Sequence, residues 1–170
     1  MAVNRGKQFE KVVQKAFEEI EGVSIDRLHD QTTGYAGSSN ICDFLVYRKP
    51  YLHYIECKSV HGNILSIHSN PKPDSKGVLH GFYGDITDKQ WLGLLHKSMV
   101  EGVIAGVLCW WVDRDITRFI PIHTLEYFRS HDMKSVRYDF LHPTIVEVTG
   151  KKKRVFYDYN MRKFLWEVDK

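Results

Sequence analysis

The chain has 170 residues, 43% hydrophobic and 26% charged, which suits one ordinary globular domain able to build its own core. No apolar run approaches the roughly 20 residues that span a bilayer, and the charged opening residues lack a signal-peptide core, so a membrane protein or an exported one is not expected. Its three cysteines, Cys42, Cys57 and Cys109, have no CxxC spacing and read as reduced thiols rather than a disulfide frame or zinc ribbon. The net charge of +3 is uneven: residues 149–170 carry seven Lys/Arg against three Asp/Glu, leaving the rest slightly acidic.

Residues 7–21 predict the clearest helix, because Phe9, Val12, Val13, Ala16, Phe17 and Ile20 form one apolar stripe, with Gly22 as the stop. Residues 30–40 are turn-like. Two β-rich runs, 41–47 and 51–58, flank Arg48-Lys49-Pro50 and read as a hairpin. An irregular stretch over residues 60–84, with four glycines and two prolines, has the length of a functional flexible loop. A second helix opens at Thr87, where Gln90 completes a capping box, and ends by Gly102. Residues 103–112 are apolar on both parities, as a strand covered on both faces would be. Asp113-Arg114-Asp115 turns the chain into a strand at 117–122, and 124–128 makes a short helix. Residues 144–149 and 154–159 bracket a basic turn as a second hairpin, within a basic C-terminal segment at 144–170. The order predicts an α/β fold, a mixed central sheet flanked by helices, in a single domain over 1–170.

The chemistry concentrates at Asp43 and Glu56-Cys57-Lys58. If Tyr47 faces Leu52 across the turn, Asp43 falls opposite Glu56, with Cβ atoms about 5 Å apart on one face. Alternation sends Lys58 to that face and Cys57 away from it. Two opposed carboxylates repel unless a hard cation sits between them, and Mg²⁺ takes such a pair with a carbonyl, here that of Cys57, and water. An ordinary surface hairpin with Lys58 neutralising Glu56 is the plain alternative. Cys42 and Cys57 would face each other on the opposite side, and His61, His68 and His80 are not spaced as a zinc site. Trp91, Trp110 and Trp111 belong to apolar runs and read as core. Tyr157, Tyr159, Phe164 and Trp166 interleave with Lys151, Lys152, Lys153, Arg154, Arg162 and Lys163, a mixture suited either to nucleic acid or to a terminal hairpin packed on the sheet.

Asp43 followed by Glu56-Cys57-Lys58 resembles the PD-(D/E)xK nuclease signature. Asn4-Arg5-Gly6-Lys7-Gln8-Phe9-Glu10 resembles the opening of the RecU-type Holliday-junction resolvases and is similar to the archaeal resolvases of that superfamily. Asp88-Lys89-Gln90, Phe119-Ile120-Pro121 and Lys134-Ser135-Val136-Arg137 extend the likeness over residues 4–141. The tail beyond has no counterpart, and residues 21–40 are short for the full RecU stalk.

The resemblance implies a restriction-endonuclease-like fold and a Mg²⁺-dependent endonuclease, with Mn²⁺ substituting, that nicks paired strands of four-way DNA as a homodimer. By it Asp43 and Glu56 bind the metal, Lys58 assists the attacking water, Glu10 is a further metal or water ligand and Gln90 completes the site. Arg5, Lys7 and Lys151–Arg154 are the candidate DNA contacts. The implied compartment is the cytoplasm of a bacterial or phage-infected cell. The rival readings are a duplex-cutting restriction or repair nuclease and a non-catalytic nucleic-acid-binding module on the same scaffold.

Overall fold

A computed structural model of the chain describes residues 4–28, 40–153 and 157–170. The first helix, α1 (Arg5–Glu18), begins where the Asn4 side chain accepts a hydrogen bond from the Lys7 backbone N–H at 3.2 Å. It buries Phe9, Val13, Ala16 and Phe17, four members of the predicted stripe. A short strand, β1 (Ser24–Arg27), then pairs with β2 (Phe44–Arg48) as an edge of the sheet. The sequence reading missed β1, which has only four residues and no buried one to mark it.

β2 and β3 (Tyr51–Val60) form the predicted antiparallel hairpin, with Tyr47 opposite Leu52 and Phe44 opposite Ile55. After β3 come β4 (Ile64–Ser66), β5 (Lys72–Pro73) and β6 (Leu79–His80), so the stretch 60–84 contains paired backbone. Then follow α2 (Asp88–Lys97), β7 (Val103–Trp111), β8 (Ile116–Pro121), α3 (Ile122–Ser130) and β9 (Ser135–Arg137), the last paired with β4.

The main sheet has six strands in the order β1-β2-β3-β7-β8-β10, where β10 is Val146–Glu147. β3 and β7 run parallel, while the other neighbours are antiparallel. A parallel pair needs a crossover long enough to hold a helix, and α2 lies in that connection, directly over the face of β3 and β7. Gly106 in β7 has a backbone reason: a Cβ there would stand 2.5 Å from the Ile120 carbonyl oxygen of β8.

Both faces of the sheet are covered, as the two-parity apolar pattern of β7 predicts. On one face Phe9 and Phe17 of α1 meet Phe44, Ile55, Leu108 and Phe119; on the other, Trp91 and Leu94 of α2 and Leu125 and Phe128 of α3 meet Val107 and Trp111. The mixed α/β class expected from the sequence is the one the chain adopts. Among the described residues no helix is long and apolar enough to cross a membrane.

The C-terminal segment departs from expectation. Among the described residues, 144–149 and 157–159 are not strand partners: Val146–Glu147 joins the open edge of β8, and β11 (Gly150–Lys152) pairs instead with β12 (Tyr157–Tyr159), while 154–156 lie outside the described residues. An unexpected helix, α4 (Met161–Val168), closes the chain and buries Met161, Phe164 and Leu165 at i, i+3 and i+4. Phe164 lies 5.3 Å from Phe119 and 6.1 Å from Phe17, ring centre to ring centre, so the tail completes the α1-side core. Asp169 anchors its end, accepting from Arg48 at 2.6 Å and facing the buried His53 Nε2 at 2.7 Å.

The three cysteines are free and buried. Cys42 and Cys57 do not face each other as the simple register requires, because they pack into the two different cores. The cause is a slip in the ladder beyond Phe44, where the Asp43 N–H donates to the Ile55 carbonyl at 3.1 Å.

Candidate active site

Asp43 sits at that slip, fixed from two strands. Its carbonyl accepts from Leu28 N–H at 2.8 Å, and its Oδ2 accepts from Cys57 N–H at 2.8 Å. The side chain thus satisfies a backbone donor of β3 where the β2 ladder ends, and the carboxylate is drawn over that strand. Glu56 and Lys58, two apart on β3, project to the same face, and α2 covers it with Gln90.

Glu56, Lys58 and Gln90 are bonded to one another. Glu56 Oε1 accepts from Gln90 Nε2 at 2.6 Å and lies 3.0 Å from Lys58 Nζ. Lys58 Nζ also donates to Gln90 Oε1 at 3.1 Å, an oxygen that accepts from Thr87 N–H as well. Gln90 therefore serves as the capping residue of α2 and as the clamp between Glu56 and Lys58. Both bonds of the capping box are present.

Glu56 is 3% exposed, and its second oxygen, Oε2, is buried without a hydrogen-bond partner. Burial, followed by the neighbouring Asp43 charge, pushes the Glu56 carboxyl up to about 8, despite the opposing pull of Lys58. Burial also raises Asp43, against the Cys57 N–H bond that lowers it. The charge of Asp43 opposes ionisation of Glu56, and that of Glu10 opposes ionisation of Asp43. Burial raises the Cys57 thiol well above its ordinary value and the Cys42 thiol to about 12, so neither is a ready nucleophile.

Glu10, half-buried on α1, is held by an ion pair with Arg27, and its charge raises the Asp43 carboxyl. Arg27 has no part in the sequence-based site. It lies on the short edge strand β1, and only the fold brings it to Glu10. The elements covering the site are themselves locked: Tyr83 stacks on Trp91 at 4.7 Å, and the Arg129 guanidinium lies 4.5 Å from the Tyr83 ring centre. Gly84, with φ +65°, is required in that segment, since a Cβ there would meet Ser66 at 2.4 Å. Beside Gln90 opens a cleft of about 540 Å³, bordered by Gly81, Gly84, Thr87, Asp88 and Lys89.

The donor set decides which cation suits this centre. Among the described residues no three His, Cys, Asp or Glu side chains converge as a ready metal cage. Two neighbouring carboxylates, one with an unpartnered buried oxygen, fit Mg²⁺, an ion that keeps several waters and needs only one or two carboxylates. The histidines are dispersed: His61 pairs with Asp113 and His80 with Asp74.

The candidate DNA contacts fall in two groups. Arg5 and Lys7 are exposed on the first turn of α1. Lys151 is exposed, but Lys152 pairs with Asp115 and Lys153 with Asp158 at 3.1 Å, so part of the tail's charge is neutralised within the fold. Arg154 lies outside the described residues.

No protein-family model and no curated protein matches the chain. Among solved structures there is a likeness to Hjc of Archaeoglobus fulgidus. That protein is a Holliday junction resolvase from an archaeal hyperthermophile. It is 17% identical, with 71% of this chain and 78% of that one covered, at a TM-score of 0.41.

Proposed function

We propose that this chain is a Mg²⁺-dependent DNA endonuclease that resolves four-way junctions by paired strand nicks as a homodimer, with Mn²⁺ able to substitute. The observation that carries the reading is the Asp43–Glu56 pair, a half-buried and a buried carboxylate whose charges oppose each other, with one Glu56 oxygen unpartnered and Lys58 bonded alongside. Such a pair is costly unless function uses it, because each acid penalises ionisation of the other. The choice of DNA and of the junction rests on the resemblance of residues 4–10, 43–58 and 88–90 to the resolvases.

In this reading Asp43, Glu56 and the Cys57 carbonyl hold the cation. When bound, it supplies Lewis-acid polarisation of the scissile phosphoryl group and a more acidic water. Lys58 then directs its ammonium toward the attacking water or the charge growing on phosphorus, and Gln90 fixes its position. Glu10, steadied by Arg27, orders water at the rim. Arg5, Lys7 and Lys151 meet DNA phosphates.

The test is cleavage of a labelled four-way junction and a linear duplex of the same sequence, with Mg²⁺ or EDTA, beside Asp43→Asn. The expected result is symmetric nicking of the junction alone, dependent on Mg²⁺ and lost in the variant. Near wild-type cutting by Asp43→Asn would refute the site, and equal cutting of both substrates would refute junction selectivity.

A further inference from the structure

The outer stripe of α4 has no part in the core or in the catalytic reading. Arg162 and Trp166 lie one helical turn, about 6 Å, apart on α4, and Lys170 follows just beyond the end of the helix. Trp166 is 58% exposed, whereas Trp91, Trp110 and Trp111 are buried. Lys170 Nζ lies 3.7 Å from the Trp166 ring centre, so that ring already receives a cation on its face. Arg162 is exposed and makes no ion pair or hydrogen bond among the described residues. Beside the stripe opens a cavity of about 480 Å³ lined by Arg48, Arg162, Lys163 and Trp166, with Ile20 and Glu21 at its rim. Arg48 is already paired with Asp169 and Lys163 with Glu167, so Arg162 is the cation of this lining left to a ligand.

We propose that this cavity is a second nucleic-acid site, which takes an unpaired base on the Trp166 ring and its flanking phosphates on Arg162 and Lys170. An aromatic ring between cations is the chemistry of single-strand recognition: every base has a face that stacks, and the cations follow the backbone. Duplex keeps its bases stacked on one another and offers this ring only its ends. Arg48 stands at the far end of β2 from Asp43, about 17 Å away along the strand, so the cavity and the carboxylate pair are separate sites. The inference stands whether or not the chain cleaves DNA.

The experiment titrates the full chain in EDTA with a twelve-residue oligo(dT) and, separately, with a blunt duplex, reading tryptophan fluorescence and the salt dependence of binding. Oligo(dT) is expected to quench the exposed Trp166 and to bind more tightly than the duplex. Trp166→Ala should abolish the quench and weaken oligo(dT) binding about tenfold. Arg162→Ala with Lys170→Ala should lower the slope of log affinity against log salt by roughly 1.4. Binding and quench that persist in Trp166→Ala would overturn the site, as would wild-type protein that does not bind the oligonucleotide. Equal weakening toward oligo(dT) and duplex would overturn base stacking. Cleavage assays in Mg²⁺ report on Asp43 and Glu56 separately, so failure of one reading leaves the other measurable.

Discussion

Two hairpins of this molecule handle charge in opposite ways. The β2–β3 hairpin sets two acids close enough for their charges to oppose each other, buries Glu56 and leaves one of its oxygens without a partner. The β11–β12 hairpin, the most basic segment of the sequence, meets its charges with carboxylates, Lys152 with Asp115 and Lys153 with Asp158. Charge counted along a chain is therefore a poor guide to charge available for a ligand. An uncompensated cluster costs stability and points to function, whereas a compensated run is a solvated surface.

The largest effect expected from breaking the first hairpin is on catalysis. Asp43→Asn or Glu56→Gln should lower junction nicking by at least about 10³-fold while junction binding is kept. Single-turnover cleavage beside a gel-shift titration separates the two.

The cost of the acidic pair should be visible in stability. Glu56 has an ordinary value of 4.5 and is pushed up to about 8 by burial, so between those pH values the folded chain holds a proton that the unfolded chain releases. Stability without divalent cation therefore falls as pH rises through that window. Glu56→Gln cannot ionise and should remove the fall, being more stable than wild type at pH 8 by a few kcal/mol and equal to it below pH 4.5. Denaturant melts across pH in EDTA check this, and a variant less stable at pH 8 would contradict it.

Gln90→Ala removes the clamp on Lys58 and Glu56 together with half of the capping box. A loss of about 10- to 100-fold in cleavage is expected, the usual cost of losing a supporting partner. Gln90→Glu keeps the capping geometry but sets a third acid 2.6 Å from Glu56 Oε1, and should restore neither activity nor stability.

The smallest effect belongs to the second hairpin. Changing Lys151, Lys152 and Lys153 together to Gln should lower the salt slope of duplex binding by no more than roughly 0.9, because two of the three are already paired. Arg5→Ala with Lys7→Ala should lower it by roughly 1.8. The reverse order would break the comparison.

The acidic hairpin was legible because its determinants are local. A short turn set the pairing of Tyr47 with Leu52, and two-residue alternation then put Glu56 and Lys58 on one face. The capping box was legible for the same reason, with Thr87 and Gln90 three residues apart. What escaped depends on partners distant in sequence. Val146 chose the open edge of β8 over the nearer strand, and no pattern within 144–159 encodes that edge. Arg27 reaches Glu10 only because β1 and α1 lie side by side. The helix α4 did carry a signal, since Met161, Phe164, Leu165 and Val168 follow helical spacing, but the neighbouring charges read as a basic hairpin.

The central claim is that Asp43 and Glu56 together hold a divalent cation, and proton release on binding tests it most directly. Calorimetric titration with Mn²⁺ at pH 7, in two buffers of different ionisation enthalpy, counts the protons displaced. The account predicts close to one proton released by wild type at pH 7, almost none at pH 9.5, and loss of binding in Asp43→Asn. Binding that releases no proton at pH 7, or that persists unchanged in Asp43→Asn, would contradict it.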